Sequence, residues 1–368
     1  MNFELFEKSS FSGDAIKTLV KKAEAMRRHS DTPVDMSFAE VLAMEHDGMT
    51  VDSFYEQIGV DVGFDTIQNL FTSPADAPRW LVPEIFRDSL RLGYRNAPLW
   101  PAITSQEQQV TGLSQVLPYL NMSDAAPKKV GEGETFPVGT LSYGDRSFKI
   151  HKFGRGIKIP DEVQRYVALA VVSIYLEDFG LKMGQGVDTL ALDTLINGEQ
   201  AAAANASPVI GIKTPGTMVF RDLLKLWVRL VRVGRNPKLM ICGEDTTMDL
   251  LGMTEFKART QGTTQYNLNV KTPLPQGSGL YINGNLTDTH IVVVDPSVAL
   301  IKMNAVPLVV ESERIVSNQT QAWYASFTTG FAKLFDDSAF IIDTAKNYAS
   351  YGMPDILDVD PSTLVNMD

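Results

Sequence analysis

The stretch 148–197 predicts an extended strand that leads into one long helix. Apolar and polar residues alternate over 148–159, which is the period of a half-buried strand. The sequence Pro-Asp-Glu at 160–162 then ends the strand and opens a helix, with carboxylates at the positive helix end. A continuous helix from Asp161 to Asn197 would be roughly 55 Å long at about 1.5 Å per residue. A hairpin that leads directly into one long helix is more typical of a structural subunit than of an enzyme.

Two rows of apolar residues mark the expected buried side of this helix: Val163, Val167, Ala170 and Ile174, then Leu176, Phe179, Met183, Val187 and Leu190. Glycines at 180, 184 and 186 weaken the helix and predict a bend or a close approach of another backbone. Gly198 is the expected end of the helix because glycine commonly terminates helices.

The composition restricts the classes of function. A net charge of -11 argues against a protein that grips nucleic acid non-specifically, although it is compatible with a locally basic face. The single cysteine, Cys242, lies in the apolar run 239–242, which predicts a buried structural thiol and excludes a disulfide within the chain. No secretory segment opens the chain and no apolar run reaches about 18 residues, so we expect a soluble protein that is not exported.

The part of the chain before the long helix has three segments of different character. Residues 1–77 have helical patterns and predict a small helical extension that packs on a partner subunit. Prolines at 98, 101 and 118 predict an extended stretch that lies on another part of the structure. Strand patterns over 128–143 and 148–159, with Gly144-Asp145 as a turn between them, predict a long two-stranded arm.

A second module follows the long helix. It comprises an amphipathic helix over 219–233, short elements at 238–242 and 247–253, and later strands that include a long central one at 323–331. Four basic residues follow one stripe of the amphipathic helix: Arg221, Lys225, Arg229 and Arg232. The stripe predicts contact with nucleic acid or an acidic neighbour, and an ordinary solvated face with ion pairs is the alternative.

The residue patterns of known catalytic and metal sites are missing from the sequence. The four histidines have no ligand spacing, and there is no nucleophile elbow or dinucleotide-binding fingerprint. Asp336-Asp337 is a paired carboxylate, but beside Ser338 and a following strand it is more typical of a turn. We therefore predict no catalytic, cofactor-binding or metal-binding residues. Because sites are assembled in space, this is weak support for a structural role.

The order of these elements resembles that of the HK97-fold major capsid proteins of tailed double-stranded DNA bacteriophages. The resemblance covers roughly Trp80 to Ile342 and depends on the ordered set rather than on one motif. The segments that carry it are 130–133, 149–162, 237–241, 306–310 and 331–340.

The resemblance implies an α+β, HK97-like capsid fold divided into six parts. These are a helical N-terminal extension, an N-terminal arm, an extended-loop hairpin, a peripheral domain with a spine helix, an axial α/β domain and an acidic tail. On this chain they would be residues 1–77, 78–115, 116–159, 160–197 with 331–350, 198–330 and 351–368. The extension would remain on the subunit and clamp its neighbours.

The resemblance also implies a function and partners. The protein would assemble in the host cytoplasm as hexamers and pentamers, in a virion shell around double-stranded DNA, with a portal and with scaffolding or decoration proteins, and without a membrane or cofactor. The tip of the extended loop would contact a neighbouring subunit through Lys128, Lys129, Glu132, Glu134 and Phe136. Some members crosslink through a lysine before a proline at this tip. Because Thr135-Phe136-Pro137 stands here, we expect a non-covalent shell.

Two other functions remain open. An encapsulin-type compartment that encloses a cargo enzyme has the same fold, although the long N-terminal extension and arm favour a virus. A soluble α+β enzyme with a site between its modules belongs to a different class. Extraction of nucleic acid from purified particles would distinguish a virus from an encapsulin-type compartment. A chain that stays monomeric at all concentrations would favour the enzyme.

Overall fold

The computed structural model describes residues 13–28, 36–46, 48–61, 63–72, 80–97, 99–112, 114–120, 141–198, 206–232, 234–253, 278–333 and 335–347. Within these residues the helices are α1 (Gly13–Arg28), α2 (Phe38–Glu45), α3 (Val51–Ile58), α4 (Ile67–Thr72), α5 (Val82–Arg95), α6 (Trp100–Ile103), α7 (Asp161–Tyr166), α8 (Leu169–Asn197), α9 (Phe220–Arg232) and α10 (Glu244–Gly252). The strands are β1 (Thr104–Gln109), β2 (Ser114–Leu120), β3 (Leu141–Lys149), β4 (His151–Pro160), β5 (Val209–Ile212), β6 (Leu239–Cys242), β7 (Gly279–Ile282), β8 (His290–Val294), β9 (Leu300–Ile315), β10 (Thr320–Lys333) and β11 (Ala339–Asn347). The fold is α+β, as predicted.

Two mixed sheets form the body of the subunit. The first has the strand order β1-β9-β10-β4, in which β9 and β10 form a long antiparallel pair and β1 runs parallel to β9. The second has the order β5-β11-β8-β6-β7, with parallel pairs at both edges. Burial alternates from Trp323 to Phe327, as the alternating sequence predicted, whereas every residue of β10 from Phe327 to Lys333 is buried. Trp323 stacks on Phe86 of α5 at 4.2 Å.

Strands that are far apart in the chain combine in both sheets, and the predicted domain boundaries stay a prediction. β9 and β10, which were assigned to the axial domain, pair with each other, and β10 also pairs with β4. β11, which was assigned to the peripheral domain, lies between β5 and β8 in the second sheet. Long-range strand pairing decides this division, and sequence order alone does not contain it.

The long helix is interrupted near its start, so the prediction of one continuous helix over 161–197 was wrong. α7 ends at Tyr166, and an extended Val167 and Ala168 precede α8. Ala168 forms an isolated bridge with Thr66, and the Leu169 N–H donates to the Asp65 carbonyl at 2.8 Å. These bonds to a distant segment replace the helical bonds that the local sequence favours. The predicted end is confirmed, since Gly198 caps α8 with φ of 71°.

Glycines bring α5 and α8 into close contact. A Cβ on Gly184 would lie 2.7 Å from both the Ala97 Cβ and the Tyr94 carbonyl oxygen. A Cβ on Gly180 would lie 3.0 Å from the Tyr94 nitrogen, whereas Gly186 has nothing within 4 Å. The prediction of close backbone contacts is therefore confirmed at two of the three glycines. α5 is held between α8 and the first sheet.

The stretch before the hairpin contains two helices. α5 occupies 82–95, in agreement with the short helix that the sequence predicts up to Leu92, whereas α6 at 100–103 corrects the expectation of an extended chain around Pro101, and β1 is extended. Prolines stand in the first turn of both helices, where the missing N–H would have no helical partner. α5 is buried against α8, so this stretch is packed within its own subunit.

The described part of the N-terminal extension is helical, as predicted, but it packs on its own subunit. Apolar side chains of α1, α2 and α3 lie in the same buried cluster as those of α5. Arg27 Nη1 donates to Glu84 Oε1 at 2.7 Å, and both side chains are only 4% exposed. The Phe38 N–H donates to the Asp88 carboxylate at 3.1 Å. These contacts fix the helices on their own subunit, and the expected packing of the extension on a partner subunit stays a prediction.

A two-stranded hairpin extends from the first sheet, but its strands differ from the predicted ones. β2 pairs with β3 antiparallel, and the connection 121–140 lies outside the described residues. The expected turn at Gly144-Asp145 is wrong, because Val116 pairs with Ser147 and Pro118 pairs with Tyr143, which makes these glycine and aspartate residues part of a bulge. A ladder irregularity is also where a strand tolerates proline, which has no N–H.

Candidate assembly interface

Large apolar side chains are exposed at the start of α8. Val171, Ile174 and Tyr175 share one side of this helix and are 42%, 65% and 68% exposed, and Tyr166 in α7 is 81% exposed. We call these four residues the α8 apolar patch. The nearby segment that bonds to Leu169 also exposes Phe64, to 85%. Several exposed apolar side chains in one region, three of them on the same side of one helix, mark a candidate site of interaction with another molecule.

The α8 apolar patch was not found from the sequence because the helix is apolar on more than one side. The buried side includes Leu169, Val172 and Leu176, and Gly180 and Gly184 continue it. Ile174, which was placed in the buried row, instead faces outward, so that prediction was wrong. The break before Leu169 sets the rotation of α8, and no local spacing indicated this break. Two tyrosines beside the apolar rows were the available indication of a second apolar face.

The hairpin is the second candidate contact. Within the described residues, β2 and β3 make ladder hydrogen bonds only with each other. An isolated two-stranded hairpin is marginally stable at best in water, so contacts beyond its own ladder are needed to fix it. The predicted tip residues Lys128, Lys129, Glu132, Glu134 and Phe136 lie outside the described residues. Their contact with a neighbour stays a prediction.

The basic stripe lies on α9, whose buried side includes Leu223, Leu226, Trp227 and Leu230. Arg221 is exposed and Lys225 is half-buried, whereas the side chains of Arg229 and Arg232 are outside the described set. Asp222 is buried, and its carboxylate accepts a hydrogen bond from the Val219 N–H at 3.3 Å. The acid in the first turn of α9 therefore faces inward and does not neutralise the outer side of the helix.

The catalytic candidates Cys242 and Asp337 are buried or hydrogen-bonded within the fold, which favours a structural role for them. Cys242 is fully buried, and burial raises the pKa of its thiol. Asp337 accepts a hydrogen bond from Arg235 Nη2 at 2.6 Å, while the side chain of Asp336 is not described. No group of three or more potential metal ligands occurs in the described ranges. In the same ranges, no helix combines the length and apolar content that a membrane crossing requires.

Sequence reasoning also missed a buried lysine within the first sheet. Lys302 on β9 is 3% exposed, and its Nζ lies 3.4 Å from the centre of the Trp100 ring and 3.9 Å from Glu107 Oε1. An aromatic face and a carboxylate both stabilise a partly desolvated cation. A lysine within an apolar strand pattern was the only available indication. Its contacts join β1, α6 and β9 and therefore have a structural role.

Comparisons with known proteins give a family. A family model described as a phage capsid protein matches residues 144–342, which is more than half of the chain. No curated protein sequence matches. Among solved structures, a virus-like particle from Pyrococcus furiosus is 10% identical with a TM-score of 0.46, covering 71% of this chain and 98% of that chain.

Two phage-related structures are similar to the same degree. Gordonia phage Cozz is 16% identical with a TM-score of 0.45, covering 66% of this chain and 85% of that one. The capsid of a native GTA particle is 11% identical with a TM-score of 0.49, covering 66% and 89%. Because all three TM-scores are below 0.5, the assignment depends on the family model.

The region that the family model matches runs from β3 to β11. It contains the long helix α8, the basic helix α9 and the second sheet up to residue 342 of β11. The predicted resemblance is confirmed. The chain belongs to the phage capsid protein family and is a structural protein of a capsid.

Proposed function

We propose that this protein is the major capsid protein of a tailed bacteriophage, which assembles as hexamers and pentamers into an icosahedral shell around double-stranded DNA. The α8 apolar patch is the observation that carries the proposal. A monomer leaves these side chains in water on its longest helix, and a neighbouring subunit would cover them.

The energy of such a contact is sufficient for cooperative assembly. Complete burial of one large apolar side chain contributes about 1.5–3 kcal/mol, so partial cover of the patch supplies several kcal/mol per subunit contact. Individual contacts of this strength remain reversible, which allows misplaced subunits to leave. Their sum over a ring or a shell makes the complete particle stable.

The charge of the chain fits a container for DNA. A net charge of -11 disfavours tight, non-specific binding of phosphate, and tight binding would impede packing and release of the genome. The DNA contact in this proposal is therefore weak and independent of sequence. A portal and a scaffolding or decoration protein would be the further partners, and assembly would take place in the host cytoplasm.

The shell would be held together without covalent bonds between subunits. The tripeptide Thr135-Phe136-Pro137 provides no lysine before the proline of the predicted loop tip. Boiling assembled particles in SDS should release a single band near 40.5 kDa. A ladder of covalent multimers would contradict this part of the proposal.

Electron microscopy of the purified full-length chain, followed by extraction of nucleic acid, tests the proposed function. We expect closed icosahedral particles, and DNA in those recovered from infected or producing cells. Particles that contain a cargo protein and no DNA would instead indicate an encapsulin-type compartment. Absence of any particle under all assembly conditions would contradict a capsid function in this form.

A further inference from the structure

Two helices cover one face of the second sheet. Buried side chains of α9 and Leu250 of α10 pack in one apolar cluster with Met240, Ile291 and Phe340 of the sheet. α9 contacts β11, whereas α10 directly follows β6, and β8 separates these two strands. α9 therefore packs toward the β11 side of the sheet, and α10 begins at the end of β6, on the other side of β8.

The outer side of α9 is basic and apolar. Arg221 is exposed, and Val228 and Val231 are 66% and 45% exposed. Lys225 lies between them in the helix, and Arg229 and Arg232 add further positive charge to its sequence. We call this side of the helix the α9 face. Its exposed valines contribute nothing to phosphate binding, so the composition fits a protein surface better than a nucleic acid.

The outer side of α10 is acidic and apolar. Glu244, Asp245 and Asp249 are exposed, as are Met248 at 73% and Leu251 at 44%. The helix contains no lysine or arginine. We call this side the α10 face. The two faces thus have opposite charge and the same kind of apolar pair, since Val228 and Val231, like Met248 and Leu251, are three residues apart and share one side of their helix.

The helix itself does not stabilise all of the acids on the α10 face. Acids in the first turn, such as Glu244 and Asp245, are stabilised by the positive end of their own helix dipole. Asp249 is near the opposite, negative end, where the dipole disfavours a carboxylate. A cation on a neighbouring molecule would reverse the sign of this contribution.

We propose that the α9 face of one subunit docks on the α10 face of a second copy of the chain. In this arrangement each subunit uses its α9 face on one neighbour and its α10 face on the other, which makes the contact heterologous, and repetition about a rotation axis closes it into a ring. The inference rests on the proposed function and adds the contact that would hold neighbouring subunits in a hexamer or pentamer. Double-stranded DNA is a poorer occupant, because the acidic α10 face over the same sheet would repel it.

Charge reversal on each face tests the proposal. The α9 variant carries Arg221→Glu and Arg229→Glu, and the α10 variant carries Asp245→Lys and Asp249→Lys. In each variant alone, like charges meet across the contact, and we expect the fraction of subunits in rings to fall about tenfold or more. The matched controls, Lys21→Glu and Glu56→Lys, reverse exposed charges on α1 and α3 and should assemble as the wild type does.

Mixing the two variants gives a result that depends on ring symmetry. A ring in which the α9 and α10 variants alternate pairs opposite charges at every contact, so hexamers should form from the mixture. Five subunits cannot alternate, so pentamers and closed shells should be absent. A single chain carrying all four substitutions pairs opposite charges at every contact and should recover pentamers and shells.

Other results would overturn the inference and leave the capsid function intact. Normal shells from the α9 variant, with or without reduced DNA content, would show that the α9 face does not hold subunits together. A mixture that stays unassembled would also contradict the contact. Met248→Ser keeps all charges and alters only an exposed side chain, so it should fold normally and lower the ring fraction; unchanged assembly would count against the proposal. If the wild-type chain formed no rings, the proposed function itself would fail.

Discussion

Replacement of Gly184 by alanine should destabilise the contact between α5 and α8, and Gly186→Ala two residues later is its matched control. The new Cβ at 184 would stand 2.7 Å from the Ala97 Cβ and the Tyr94 carbonyl oxygen, while ordinary contact begins at 3.4 Å. The neighbouring helix must therefore move by about 0.7 Å, the difference between those two distances. At Gly186 the added methyl group meets nothing within 4 Å.

Both substitutions gain the same helix propensity from the replacement of glycine by alanine. The difference between their free energies of unfolding therefore isolates the steric cost at position 184. Alanine is favoured over glycine in a helix interior by about 1 kcal/mol at either position. Overpacking at position 184 costs about 1–3 kcal/mol. The free energy of unfolding should therefore be higher for Gly186→Ala than for Gly184→Ala by about 1–3 kcal/mol, with Gly186→Ala more stable than the wild type.

Urea unfolding of the unassembled subunit, followed by tryptophan fluorescence, measures this difference. Trp323 stacks on Phe86 of α5, so the emission should report on separation of α5 from the first sheet. Comparison of unfolding midpoints is valid where the slope with urea is unchanged between variants. Equal stabilisation by both substitutions would refute the close approach of the two helices.

Three further predictions concern the N-terminal extension and the surface of α8. Glu84→Ala leaves the buried Arg27 without its carboxylate and should lower the free energy of unfolding by about 3–5 kcal/mol. Proteolysis before α5 should become faster. A double substitution of Arg27 and Glu84 by methionine should recover much of the lost stability. Burial raises the pKa of Asp88 to about 6, above the unfolded value of 3.8, so the folded state holds this proton more tightly. The wild type should therefore gain stability relative to Asp88→Asn as the pH falls from about 7 toward 4 in a titration of unfolding midpoints, and parallel pH profiles would contradict the assignment. Ile174→Ser with Tyr175→Ser should leave the unfolding midpoint of the subunit unchanged and lower the yield of assembled particles, which sedimentation measures.

Local patterns in the sequence predicted many of the elements of this fold. The strand over 151–160, its end at Pro160, the helix over 220–232 and the fully buried run at 239–242 all follow from the spacing of apolar residues, with proline and glycine at the ends. Burial of Cys242 follows from the same run. These features depend on interactions within a few residues of one another.

Features that depend on distant contacts were not predicted. Thr66 and Asp65 bond to Ala168 and Leu169 and interrupt the long helix, which also turns Ile174 outward. The long central strand, β10, pairs with both β4 and β9, and these two pairings place it in the first sheet. The apolar sides of the N-terminal helices were predicted, but their packing against α5 was not, because it joins segments that are far apart in the chain. Each error arose where a tertiary contact outweighed a local preference.

The candidate assembly surface was partly predictable. The basic residues of α9 were found because charge spacing is local, and their role stayed open because the acidic, apolar outer side of α10 was not considered with them. The α8 apolar patch could not be separated from the core by periodicity, since the helix has apolar residues on several sides. Exposure of such a patch becomes apparent only when the packing of α5 on the opposite side is known.

The mass of the purified full-length chain in solution, measured by mass photometry across a range of concentrations, tests the central claim most directly. A capsid subunit that needs copies of itself to cover its surfaces should appear as rings of five and six chains of 40.5 kDa and as closed particles. A species of 40.5 kDa at every concentration and in every assembly condition would contradict the account.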